Sequence, residues 1–395
     1  MRGTLAALMV CVFGVTTGEF VLAGILPGVA ADLEVSIPAA GLLVTAYALG
    51  MIIGGPLLTA ITAGRPRKPL VLALLLVAIA GNLISALAPG YGVLFAARIV
   101  TALVTATFFA NAIVIAVSAA PPRKQASTVA KLAFGMNLAM ILGAPLGTWI
   151  GDTLGWRATF VAITLCCTAG LLLVTRLVPG ESWISAARRG ASRAEIHDST
   201  TAHASALGEL AVLRGREVQG AIVVTAVANL GLLMVFTYLA PLLTDVGLSV
   251  APMLLVYGVG AALGNLAGGW LADSALLPSQ LVALAILVAI LLALWASTGT
   301  AITAVLVFAA GAVGFSVIPG MQTRVMATAS AAPTLAIAVN ASAYQLAAAF
   351  AGWLGGRVIA GPGLRTIYLA AALTTAVGIG LSLVAWRRDR TAVPA

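Results

Sequence analysis

Charged residues in this chain stand in clusters separated by long apolar stretches. Nothing charged lies between Glu34 and Arg65, Lys131 and Asp152, Arg157 and Arg176, Glu217 and Asp245, Asp245 and Asp273, or Arg365 and Arg387. Each gap holds one helix of about 20 apolar residues, enough to cross ~30 Å of hydrocarbon. The uncharged run from Ser274 to Thr323 is long enough for two, and Ser297, Thr298, Gly299 and Thr300 supply the break between them. The pattern predicts twelve spans near 5–30, 40–62, 70–88, 93–118, 127–150, 158–178, 218–242, 251–271, 280–297, 301–321, 334–358 and 366–386. One long hydrophilic segment, rich in Ser, Ala, Arg and Glu, separates two sets of six. The expected fold is therefore an all-α membrane protein: an N-terminal six-helix half (1–178), a cytoplasmic linker (179–217) and a C-terminal six-helix half (218–395).

The halves echo one another, as in a duplicated transporter fold. Tyr47, Gly50 and Gly54 recur in spacing as Tyr257, Gly260 and Gly264; Gly155-Trp156-Arg157 recurs as Gly363-Leu364-Arg365; Phe20 to Pro27 has a looser echo in Phe236 to Pro241. Helix five carries small residues at every fourth position, Gly135, Ala139, Gly143, Gly147 and Gly151. Tyr344, Ala348, Gly352 and Gly356 repeat that spacing in helix eleven. Such stripes let backbones approach closely, because packing rather than the hydrophobic effect holds helices together in lipid. Static packing and a sliding surface both fit them, and Pro145, which removes a backbone hydrogen bond, favours a bend.

Composition agrees. Hydrophobic residues make up 61% and charged ones 8%, against about 25% charged in soluble domains. The net charge of +9 follows topology rather than nucleic acid: with Arg2 inside, most lysines and arginines fall on cytoplasmic loops. Both termini are then cytoplasmic. Glu19 interrupts the first span, which the uncharged core of a cleaved signal does not allow, so this span is read as retained. Cys11, Cys166 and Cys167 all lie within spans and no disulfide framework is expected.

Several segments together resemble the twelve-helix drug:proton antiporter family of the major facilitator superfamily, its arabinose-efflux-like and chloramphenicol-resistance exporters in particular. They are Gly18-Glu19-Phe20 with Leu26-Pro27, Ala40-Gly41-Leu42-Leu43 to Gly54-Gly55-Pro56-Leu57, Gly143-Ala144-Pro145-Leu146-Gly147-Thr148 leading into Gly155-Trp156-Arg157, and Met321 to Met326 leading to Trp353-Leu354-Gly355-Gly356. The helix-five segment resembles the family's antiporter motif, which implies export. Arg98 stands where the family has a fourth-helix arginine associated with proton coupling. The loop after helix two keeps Arg65, Arg67 and Lys68 but lacks the family's preceding aspartate, while the equivalent loop of the second half keeps Asp273 without an adjacent arginine. A gate built from one half's acid and the other half's bases is one reading of that departure.

Two charges inside spans carry the chemistry. Glu19 lies ~20 Å along helix one, where an ionised side chain costs at least ~2.5–3.5 kcal/mol and so faces a cavity, finds a partner or takes up a proton. The readings are a proton carrier and a structural glutamate tied to a neighbouring helix. Arg98 shares a helix face with Thr101 and Thr105; a cavity-facing coupling partner of Glu19 and a snorkelling side chain are its alternatives. Asp32, Glu34 and Asp152 read as solvated helix ends. Candidates to line a substrate cavity are Thr101, Thr105, Phe108, Asn111, Asn137, Asn229, Tyr238, Asn340, Tyr344 and Gln345, with interhelical hydrogen bonding as their alternative work; Phe109, Phe236 and Phe315 could add an apolar lining. No P-loop, metal-ligand spacing or GxSxG occurs. The expected protein is a monomeric, multi-pass exporter of the bacterial inner membrane, not an enzyme, without cofactor and driven by the proton gradient. It moves small amphipathic compounds; the alternatives are export of a polar metabolite such as a sugar, purine or amino acid, and a non-transporting receptor or scaffold.

Overall fold

The computed structural model describes residues 2–62, 65–118, 120, 125–178, 216–328 and 333–391. The expected linker lies outside them but for its last two residues, Arg216 and Glu217, which begin a helix. Every regular element among the described residues is helical. The chain runs α1 (Arg2–Phe20), α2 (Leu22–Asp32), α3 (Ile37–Thr62), α4 (Arg67–Ala86), α5 (Tyr91–Ser118), α6 (Gln125–Leu138), a π-helical turn (Ala139–Gly143), α7 (Ala144–Leu154) and α8 (Trp156–Leu177). It continues as α9 (Arg216–Thr237), α10 (Leu239–Asp245), α11 (Val250–Ala296), α12 (Thr300–Thr328), α13 (Pro333–Ala360) and α14 (Thr366–Thr391). Among these residues 10 helical segments are long and apolar enough to cross a membrane, and the bent pair α9/α10 makes 11. The 28-residue α13 occupies the eleventh predicted span. Leu266 and Trp270 are about three-quarters exposed, as expected where the solvent is lipid.

The chain divides into two compact units, Met1–Val35 with Ala46–His203, and Ser36–Thr45 with Ala204–Ala395. Helix α3 is thus shared, its first residues packing with the second unit.

Prolines explain most of the interruptions. Pro241 has no N–H for the carbonyl of Thr237, and α9 ends there with a 53° bend into α10. The π turn Ala139–Gly143 stands just before Pro145 and contains Ile141, whose carbonyl gets no i+4 N–H from that proline; the interruption expected there is thus a widened turn. Both spans predicted within α11 are present, Val250–Ala272 and Leu277–Ala296, and the residues expected as a loop between them are helical, so that the helix runs from Val250 to Ala296. Leu263, Leu271, Ser279 and Ile286 line one cavity.

The internal echoes have geometry behind them. Gly155 and Gly363 both have positive φ, 87° and 110°, the backbone region open to glycine. Each aims an arginine at the carbonyl end of an earlier helix in its own unit: Arg157 donates to Ala88 O at 3.0 Å, and Arg365 donates to Trp295 O at 2.9 Å and to Ser297 O. Arg157 also pairs with Asp32, which accepts from Trp156 Nε1 at 3.1 Å. Asp32 is therefore engaged rather than only solvated, and this arginine, supported by the tryptophan, holds its carboxyl below the usual range.

The glycine stripe before and in α7 packs against helix one. A Cβ on Gly143 would stand 2.1 Å from Thr17 Oγ1, one on Gly147 2.5 Å from Val21 Cγ2, and one on Gly151 2.8 Å from Ile25 Cγ2. Cys11 and Cys167 are buried and Cys166 half-buried, all three as free thiols.

Candidate functional site

In the first unit two glycines bring α3 against α5. A Cβ on Gly50 would lie 2.7 Å from Ala102 Cβ and 3.0 Å from Ile99 O, and one on Gly54 2.3 Å from Leu103 O. This approach sets Tyr47, one turn earlier on α3, over Arg98 on α5. The guanidinium carbon stands 4.3 Å from the Tyr47 ring centroid and 5.7 Å from that of Phe160 on α8. Arg98 is 0% exposed, so it does not snorkel. None of its three guanidinium nitrogens has a hydrogen-bond partner among the described residues.

The energies frame what this arrangement needs. Removing an ion from water costs several kcal/mol even after relaxation, while a cation over an aromatic face recovers about 0.5–2 kcal/mol. Tyr47 and Phe160 alone do not balance the charge. Glu19, half-buried near the end of α1, lies within electrostatic reach of both Arg98 and Tyr47. The two in-span charges singled out in the sequence are therefore brought into one neighbourhood.

Tyr47 is buried and shares a 3.0 Å hydrogen bond with Thr105 Oγ1. The stripe expected from Arg98, Thr101 and Thr105 does face the interior. Its hydroxyls are largely committed: Thr105 donates to Thr101 O and Thr101 to Ala97 O, both at 2.9 Å. The sequence reading used Tyr47 only as a repeat marker and passed over Phe160. It also missed Asn82, whose buried Oδ1 lacks a hydrogen-bond partner among the described residues and lies 3.5 Å from where a Cβ on Gly18 would stand. Its signal was an asparagine in the middle of an apolar span.

The other candidates scatter. Phe108 is buried edge-on to Phe109. Asn111 is buried, donating to Thr107 O at 2.8 Å and accepting from Arg67 at 2.6 Å. Lys68 donates to Thr175 O at 3.0 Å and Val178 O at 2.6 Å. Arg67 and Lys68 thus have partners within the first unit, while Arg65 is exposed. Asn137 is exposed and does not join the cluster.

In the second unit Asn229 is buried, donating to Thr225 O at 2.7 Å beside Met321 Sδ at 3.2 Å. Tyr238, at the α9/α10 bend, is fully buried and donates to Gly352 O at 2.5 Å. Tyr344 and Gln345 are half-buried on α13. The side chains of Asp273 and Asn340 lie outside the described residues.

Residues 8–334 match the family model described as Major Facilitator Superfamily. This chain belongs to that superfamily. It is 36% identical over 392 residues to the inner membrane transport protein YdhP of Escherichia coli K12, covering 98% of this chain and 96% of that one. It is 34% identical over 353 residues to a chloramphenicol resistance protein of Streptomyces lividans, covering 87% and 86%. Among solved structures it resembles an inward-facing, unoccupied bacterial homologue of the human lysosomal transporter Spinster, with a TM-score of 0.74 at 15% identity over 97% of this chain and 96% of that one. The major facilitator fold of two six-helix halves is thereby established, and the protein is a multi-pass membrane transporter.

Proposed function

We propose that this transporter exports small amphipathic compounds in exchange for protons, and that Glu19 and Arg98 couple the two movements. The observation that carries the reading is the fully buried guanidinium of Arg98, held between Tyr47 and Phe160 in the field of Glu19. In a low-dielectric interior an uncompensated charge is expensive. When Glu19 is ionised it balances Arg98. When Glu19 takes a proton, an acceptor group on the bound solute takes over that role. Proton and solute then compete, which is the thermodynamic requirement of an exchanger. The relative named for chloramphenicol resistance supports an apolar, drug-like cargo.

The test is expression in an efflux-deficient bacterium with a compound panel that includes chloramphenicol, with and without a protonophore. Export is expected to vanish when the proton gradient collapses, and Glu19→Gln protein is expected to lose solute-dependent proton release. Resistance that survives the protonophore, or full proton release from Glu19→Gln, overturns the coupling.

A further inference from the structure

The second unit repeats the Tyr-Gly-Gly packing of the first with different surroundings. A Cβ on Gly260 would meet Phe308 O at 2.4 Å, and one on Gly264 would meet Ala312 O at 1.8 Å. Phe308 and Ala312 therefore correspond to Ile99 and Leu103. By that register Val307 stands where α5 has Arg98, and Gly314 where it has Thr105. Both polar partners of the first tyrosine are gone, yet the phenol remains as Tyr257.

Aromatic rings replace them. Tyr257 stacks on Phe236 with centroids 5.4 Å apart and planes 28° apart, and meets Phe315 edge-on at 6.2 Å and 89°. It is 1% exposed, and its hydroxyl has no hydrogen-bond partner among the described residues. Two other buried phenols are satisfied, Tyr47 by Thr105 and Tyr238 by Gly352. A buried donor left unmade is destabilising, and phenylalanine would fill the same space without that penalty. Tyr344 on α13 lies within electrostatic reach of Tyr257. Phe315 and Tyr344, both half-buried, carry the edge of the cluster to the accessible surface.

We propose that Phe236, Tyr257 and Phe315 form a subsite for a neutral aromatic group bearing a hydrogen-bond acceptor, such as a carbonyl or nitro oxygen, to which the Tyr257 hydroxyl donates. The rings supply faces and edges for a flat apolar body, and the single donor fixes its orientation. A donor that only the solute can satisfy discriminates against compounds lacking the acceptor. The inference rests on the export reading for its purpose and names the class of cargo.

The experiment uses the full chain in lipid nanodiscs without a proton gradient. Binding of benzophenone, a neutral diaryl ketone, is compared with that of diphenylmethane, which lacks the oxygen. The Tyr257→Phe variant is expected to bind benzophenone about 3- to 10-fold more weakly, the worth of one neutral hydrogen bond, and to bind diphenylmethane as before. Phe315→Leu is expected to weaken both. Photochemical cross-links of benzophenone to the wild-type chain are expected on α9, α11 and α12. Thermal stability of Tyr257→Phe is expected to hold or rise, because an unmade donor has been removed. Unchanged benzophenone binding by Tyr257→Phe, a fall in its stability, or cross-links confined to the first unit overturns the proposal. Because binding is read without a gradient, a protein that binds selectively but exports nothing refutes the export reading alone.

Discussion

Replacing Gly264 by alanine tests the packing on which the second unit rests. The new methyl carbon would stand 1.8 Å from Ala312 O and 2.6 Å from Ala312 C. Both are backbone atoms, so no side chain can swing aside. Reaching even a tight approach of ~3.3 Å requires α11 and α12 to part by ~1.5 Å locally, which forfeits much of the surrounding contact. Overpacking of this kind costs about 1–3 kcal/mol, and in lipid no hydrophobic term offsets lost helix contact. Alanine's intrinsic preference for the helix returns up to ~1 kcal/mol. Gly269, on the same helix, has nothing within 4 Å of its would-be Cβ, so Gly269→Ala receives that gain alone. Thermal unfolding of the two variants in the same detergent, followed by tryptophan fluorescence, is expected to place Gly264→Ala several degrees below wild type and Gly269→Ala at or above it. If Gly264→Ala melts with or above Gly269→Ala, the backbone contact described here is wrong.

Arg98→Met is expected to keep or raise thermal stability, because it replaces a buried cation lacking hydrogen-bond partners by an apolar side chain of similar length, while abolishing gradient-driven uptake into everted vesicles; marked unfolding of this variant would show that the charge is structural. Gly155→Ala is expected to lose about 1–3 kcal/mol through backbone strain alone, since its φ is 87° and nothing lies within 4 Å of the added carbon; an unchanged melting temperature would refute this. Asp32→Asn is expected to lower the melting temperature slightly at neutral pH, both partners being half-exposed. The folded Asp32 carboxyl is held below its ordinary 3.8, first by Arg157 and then by Trp156. Its contribution is therefore fully present above 3.8 and fades as pH falls through the lower folded value; a difference between variant and wild type that persists or grows on acidification would contradict the assignment.

Much of this was legible in the sequence because lipid imposes a simple rule: charge marks the ends of spans and its absence marks their length. The repeats were legible too, since Tyr47-Gly50-Gly54 and Gly155-Trp156-Arg157 each encode a contact that geometry repeats in the other half. Glu19 and Arg98 stood out as charges where charge is costly. Pair partners were harder to read. Asn111 reads as a cavity residue until Arg67, far away in sequence, is seen donating to it. Tyr47 and Phe160 are apolar rings among many, and only the depth of Arg98 gives them a part to play. The α11 join was missed because the polar pair Asp273-Ser274 reads as a loop between two spans, whereas the backbone there stays helical.

The glycine contacts between α3 and α5, and between α11 and α12, join main chain to main chain and ask almost nothing of the side chains around them. Either half can therefore differ in chemistry while keeping the same helix contact: the first sets a guanidinium beside its tyrosine, the second a nest of rings. A hybrid assembled from two first halves would keep both scaffolds and carry two cations, but it would have no aromatic nest. The same backbone approach thus frames a charged neighbourhood in one half and an aromatic one in the other.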